Sequence, residues 1–103
     1  MMKKIKDGRL CVLYSPGYGA GWYTWHGVEE LVFDPVLVDM VLDDADPEDI
    51  IDYCKETYGT DNYYGGAEDL TVAFVDTGDK FRIEEYDGAE SVMCMNDYQW
   101  FEA

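Results

Sequence analysis

Two Asp-Pro steps twelve residues apart constrain the fold of this chain more than any other feature. In Asp34-Pro35 and Asp46-Pro47 the aspartate is placed to cap a helix, its carboxylate accepting from the first free amides. The proline fits the first helical position, where no amide hydrogen is needed. After the first step Val36, Leu37, Met40 and Val41 recur at helical spacing. After the second, Glu48 and Asp49 occupy the first turn, where acids suit the helix dipole, and Ile50, Ile51, Cys54 and Tyr58 form one apolar face. Gly59 then stands where a helix stop is favoured. Two short helices joined by a tight acidic corner are therefore expected in mid-chain.

The flanks read as strand and loop. Arg9-Leu10-Cys11-Val12-Leu13-Tyr14 is a buried strand halted by Ser15-Pro16-Gly17. Gly17, Gly19 and Gly21 make the following stretch to Trp25 a loop, and Gly27 to Phe33 is read as one or two helical turns. Thr60 to Asp69 reads as a long polar loop. Leu70–Val75 and Lys80–Tyr86 are strands around the Asp76–Asp79 turn. Asp87-Gly88 is a two-residue hairpin turn returning into Ser91–Met95. The aromatic tail from Asp97 to Phe101 is expected to pack. These elements define an α+β fold: an N-terminal strand, a glycine and aromatic loop, two helices, then a three-strand antiparallel meander, with the first strand in the same sheet.

One domain, residues 1–103, is what this length allows. A chain this long buries roughly 60–70% of its unfolded surface, so a hydrophobic core suffices to hold it. With 48% of residues apolar and 16% aromatic, the composition is that of a folded protein despite its charge. No apolar run approaches the ~18 residues of a membrane span, and Asp7-Gly8-Arg9 interrupts the basic start Lys3-Lys4-Ile5-Lys6 before any apolar segment of signal-peptide length. Cys11, Cys54 and Cys94 are odd in number and lack a C-x-x-C pair, which reads as reduced thiols in a cytoplasmic protein.

The net charge of −16 is distributed unevenly. Residues 1–27 hold four bases against one acid, net +3. Residues 28–56 hold eleven acids against Lys55, net −10, and residues 57–103 hold eleven acids against Lys80 and Arg82, net −9. Direct nucleic-acid binding is disfavoured on this balance, because it depends on Lys and Arg neutralising phosphates. Anionic membranes are repelled in the same way, and a basic protein partner is favoured.

Several chemistries fail on spacing. Gly17-Tyr18-Gly19-Ala20-Gly21 places its third glycine one residue early for a dinucleotide fingerprint, and no lysine between Lys6 and Lys55 serves a phosphate loop. One histidine and three separated cysteines give no zinc spacing. A calcium loop begun at Asp44 would put Asp49 at the obligatory glycine and Lys55 at the bidentate acid. Ser15 lacks a nucleophile elbow, and any nucleophile would depend on the single His26. No catalytic residue, metal or cofactor is assigned. Lys80 and Arg82 are expected to pair with acids across the hairpin.

Three segments carry a resemblance: Leu13 to Trp22 with its S-P-G-Y-G-A-G-W loop, Tyr64 to Leu70, and Phe81 to Ser91 with its F-R-I-x-E-Y-D-G-x-E hairpin. Together they resemble a family of small uncharacterised bacteriophage and prophage proteins. The resemblance implies a bacterial cytoplasmic setting and makes the loop and the hairpin turn the candidate shared site.

The leading functional expectation is a non-enzymatic acidic binding protein, phage-encoded and directed at a basic host factor, with a nucleic-acid mimic or counter-defence inhibitor as its specific form. The alternative is a binder of a small nucleotide-like or sugar-like ligand, or a minor enzyme. Its pocket would be built from the glycine and aromatic loop (Ser15, Tyr18, Gly19, Gly21, Trp22, Trp25), Tyr63 and Tyr64, and Arg82, with Glu85 and Asp87 as its acids.

Overall fold

A computed structural model describes residues 3–17 and 21–95. Tyr18, Gly19 and the aromatic tail from Asp97 to Phe101 lie outside the described residues. The elements in chain order are β1 (Ile5–Lys6), β2 (Arg9–Tyr14), α1 (Tyr23–His26), α2 (Glu30–Phe33), α3 (Pro35–Leu42), α4 (Pro47–Tyr58), a 3-10 helix (Gly65–Asp69), β3 (Thr71–Asp76), β4 (Phe81–Tyr86) and β5 (Ala89–Cys94). The fold is α+β, as the sequence implies.

Both Asp-Pro steps start helices, by different means. The Asp34 carboxylate accepts from the amides of Val36 and Leu37, and Pro35 opens α3. Asp46 also precedes its proline, but its side chain makes no capping bond, and only its backbone carbonyl takes the amides of Asp49 and Ile50. Helix α3 buries Leu37 and Val38, while Val36 is turned to solvent, so its inner face is rotated by one position from the expected one. Helix α4 buries Ile50 and Cys54 and ends at Gly59, as expected. Within the expected Thr60–Asp69 loop, the second half winds into the 3-10 helix.

Strand pairing differs from the expected meander. The three-strand antiparallel sheet has the order β1-β2-β3, and β4 and β5 form a separate hairpin. Asp7-Gly8 carries the same turn signal as Asp87-Gly88, with both residues at positive φ in each pair, and it folds β1 back onto β2. Strand β2 lies at the centre, with Cys11 opposite Phe74 and Leu13 opposite Val72. Its continuous apolar run is explained by burial on both faces. Cys11 and Leu13 join Leu37, Val38, Ile50 and Cys54 on the helical side. Val12 and Val75 join Val32 and Phe33 on the other side, and there the β4–β5 hairpin packs Phe81, Ile83, Val92 and Cys94 against them. The hairpin thus joins α2 in covering the sheet face away from α3 and α4 instead of extending the sheet edge, which leaves β4 paired with β5 and not with β3.

Candidate functional site

The glycine and aromatic segment divides into a core half and an exposed half. Ser15 follows β2 and is fully buried. Its carbonyl accepts from the Glu90 amide at 2.8 Å, and its own amide donates to Glu90 Oε1 at 2.9 Å. Gly21 donates to the Gly88 carbonyl at 2.7 Å. Trp22 is 0% exposed, donates from Nε1 to the Leu31 carbonyl at 3.0 Å, and stands edge-on to His26. Trp22 is therefore a core residue. Tyr64 is buried as well, its hydroxyl donating to the Gly59 carbonyl at 2.7 Å. Trp25 and Tyr63 are each 45% exposed, with ring centroids 5.3 Å apart and planes inclined at 37°.

Helix α1, which carries Trp25, is only four residues long, too short to be stable by itself. Two glutamates of the hairpin hold it. Glu85 and Glu90 face each other directly across β4 and β5, an arrangement that repels unless each carboxylate has its own donors. Each does. Glu90, nearly fully buried, receives the Ser15 amide, the Thr24 amide at 2.8 Å and the Thr24 hydroxyl at 2.7 Å. The exposed Glu85 uses one oxygen, Oε2, to accept from Trp25 Nε1 at 2.9 Å and from the Gly88 amide at 3.0 Å. Glu90 fixes the start of α1 from within, and Glu85 fixes the tryptophan at its outer side.

Close packing onto bare backbone completes the pose. Gly21 sits at φ 65°, a conformation that costs other residues roughly 1–2 kcal/mol, and a Cβ there would run into the pyrrole ring of Trp25. A Cβ on Gly65 would likewise run into the phenol of Tyr63. Both exposed rings lie over a glycine, which restricts their motion without burying them.

The structure brings Ser15, Gly21, Trp25, Tyr63 and Glu85 into one region, with Trp22 and Tyr64 in the core beneath. It does not bring Arg82 there. Arg82 projects from the opposite face of β4 and pairs at 2.5 Å with Glu84 of its own strand, so the expected cross-hairpin pairing is replaced by a neighbour on the same face. Asp87 has φ 50° and forms the hairpin turn. Glu90 and Thr24 are further members of the site. The signal for Glu90 was present as the last acid of the E-Y-D-G-x-E pattern, and a two-residue turn sets it against Glu85.

Beside Gly65 opens a cleft of about 670 Å³ lined by Asp46, Pro47, Glu48, Ile51 and Glu68. All eight acids from Asp39 to Glu56 are exposed. The ion pairs among the described residues are Lys4–Asp39 and Arg82–Glu84, so most of this negative charge faces solvent without a counter-charge. Among the described residues no group of three or more His, Cys, Asp or Glu is placed to hold a metal ion, and no helix is long and apolar enough to cross a membrane.

Burial displaces the acidity of several groups. Burial pushes the Cys54 thiol up to about 12, assisted by the Asp34 charge. Burial and a hydrogen bond to Asp34 push Tyr53 up to about 12, and Tyr58 moves in the same direction for the same reasons. A thiol held this far from its thiolate is no nucleophile at neutral pH. The His26 Nδ1 accepts from the Val28 amide at 2.9 Å, which leaves the proton of the neutral ring on Nε2. Burial lowers the imidazole to about 4, against the opposing pull of Glu90. With the folded-state value below the ordinary 6.5, neutral His26 contributes stability above pH 6.5, and that contribution is lost as pH falls from 6.5 towards 4. A ring titration followed by NMR is expected to show neutral His26 at pH 5 in the folded protein. A midpoint near 6.5 would show that the ring is solvated.

Comparison with known proteins gives no matching family model, curated protein or solved structure.

Proposed function

We propose that this chain is an acidic, non-enzymatic binding protein that docks on a basic protein surface, with Trp25 and Tyr63 as its anchors. The observation that carries this reading is the exposed ring pair held in a fixed pose by Glu85, Gly21 and Gly65. Buried aromatic anchors dominate interface energetics, and a side chain already held in its bound pose loses little entropy on association. A solvent-exposed tryptophan fixed by a charged hydrogen bond and a bare backbone contact suits that role and has no evident part in the core.

The acidic surface chooses the partner. A net charge of −16, with the acids of the α3–α4 corner and of α4 exposed and outside the ion pairs among the described residues, accelerates encounter with cationic surfaces and repels anionic ones. The resemblance to bacteriophage proteins supplies the setting, a bacterial cytoplasm in which the basic partner is a host factor. A partner whose cationic surface binds nucleic acid would make the chain a mimic of that ligand.

The test is capture from bacterial lysate by the immobilised protein at about 50 mM and about 300 mM salt, the higher value compressing the Debye length well below 10 Å. Capture of a basic protein at low salt, lost at high salt and lost in Trp25→Ala at low salt, is the expected result. Capture that ignores both salt and Trp25 would contradict the reading.

A further inference from the structure

The geometry points to arginine, rather than to positive charge in general, as the residue that the Trp25–Tyr63 surface recognises on its partner. This inference rests on the binding-protein reading above and names the chemistry of its central contact.

Glu85 is the charged group at this surface. Both hydrogen bonds that hold Trp25 and the hairpin turn go to Oε2. The second oxygen, Oε1, has no partner among the described residues, yet the bonds to Oε2 fix its position at the edge of the indole. A charged acceptor is thus held beside an exposed aromatic surface by contacts that a ligand need not break. Guanidinium fits this pairing of features. It is planar, weakly hydrated and stacks on aromatic faces, while its rigid fork directs N–H groups to a carboxylate in the same plane. An ammonium group is compact and strongly hydrated, so it would gain the carboxylate contact but little from the rings.

The surroundings extend the match to a segment of chain. Gly65 lies under the Tyr63 ring and also lines the neighbouring cleft, so platform and cleft are continuous. The cleft offers Pro47 and Ile51 to the aliphatic stem of a second basic residue, with Asp46 and Glu68 for its head group. The Asp46 carboxylate is not consumed by its helix, since α4 is capped through the backbone alone. The occupant is therefore an arginine-bearing segment of a basic protein, with one guanidinium on the rings and a second cationic side chain in the cleft.

The experiment uses the whole chain, labelled with nitrogen-15, and three capped peptides of one sequence carrying two arginines, two lysines or two citrullines. The Trp25 indole resonance, identified by its loss in Trp25→Phe, reports the platform, and the buried Trp22 indole is the internal control. The arginine peptide is expected to move the Trp25 signal and leave that of Trp22 in place. Its affinity is expected to exceed that of the lysine peptide by about threefold or more, from the stacking that lysine lacks. Glu85→Gln keeps an oxygen able to accept from both Trp25 and Gly88 but removes the charge, and is expected to weaken the arginine peptide by roughly three- to tenfold. Equal binding of the arginine and lysine peptides would overturn the arginine inference and leave the basic-partner reading intact. Binding that leaves the Trp25 signal unmoved would overturn it too, as would a Trp25 response to a mononucleotide and to none of the peptides.

Discussion

Replacing Asp34 by alanine is expected to lower the stability of this protein by about 3 kcal/mol, seen as a fall in melting temperature of roughly 15 °C for a domain of this size. Asp34 is a buried carboxylate with four donors. One oxygen, Oδ1, accepts from the amides of Val36 and Leu37, and the other, Oδ2, accepts the hydroxyls of Tyr53 at 2.8 Å and Tyr58 at 2.5 Å. Loss of the cap costs about 1 kcal/mol. Two half-buried hydroxyls left without their charged acceptor account for the remainder at roughly 1 kcal/mol each. Asp34→Asn separates the contributions. Its carbonyl still caps α3, and the tyrosine hydroxyls can turn to accept from its amide, so a loss of about 1 kcal/mol is expected. Equal losses for the two variants in a denaturant titration would show that the tyrosine contacts contribute little.

The second large effect is expected at Glu90. Glu90→Gln changes shape hardly at all, and it is still expected to cost about 2–3 kcal/mol, because a buried donor is forced against another donor. Backbone amides approach both carboxylate oxygens, Ser15 on Oε1 and Thr24 on Oε2. A glutamine has one accepting oxygen, so either orientation turns its NH2 towards an amide that cannot rotate away. The Thr24 hydroxyl can adapt and the two amides cannot. The loosened element would be α1, and the Trp25 indole should lose its fixed environment along with the stability. A Glu90→Gln protein with unchanged melting temperature and unchanged Trp25 resonance would mean that Glu90 does not hold α1.

What could be read from the sequence was local. Asp34-Pro35 and Asp46-Pro47 place α3 and α4 because capping involves residues two and three apart, and the Arg9–Tyr14 run gives β2 to the residue. Asp87-Gly88 gives the β4–β5 hairpin for the same reason. The separation of β4 and β5 from β3 into a second sheet was not legible, since it depends on which sheet face the hairpin must cover. Helix α1 was not legible either, because four residues in a glycine-rich segment adopt helical geometry only against carboxylates sixty or more positions away. The candidate site was half legible. Crowding of Tyr18, Trp22, Tyr23 and Trp25 marked the segment, but no local pattern assigns Trp22 to the core and Trp25 to the surface. That division follows from the Leu31 carbonyl meeting one indole N–H and Glu85 meeting the other.

The central claim is that Trp25 serves recognition and not folding. It is tested most directly by measuring, on the same preparations, the melting temperature and the affinity for the captured basic protein of the wild type and Trp25→Ala. The account predicts a stability change within about 1 kcal/mol, as for an exposed side chain, together with an affinity loss of about thirtyfold or more, as for an interface hot spot. A protein that unfolds when Trp25 is removed, or one that binds as tightly without it, would contradict the account.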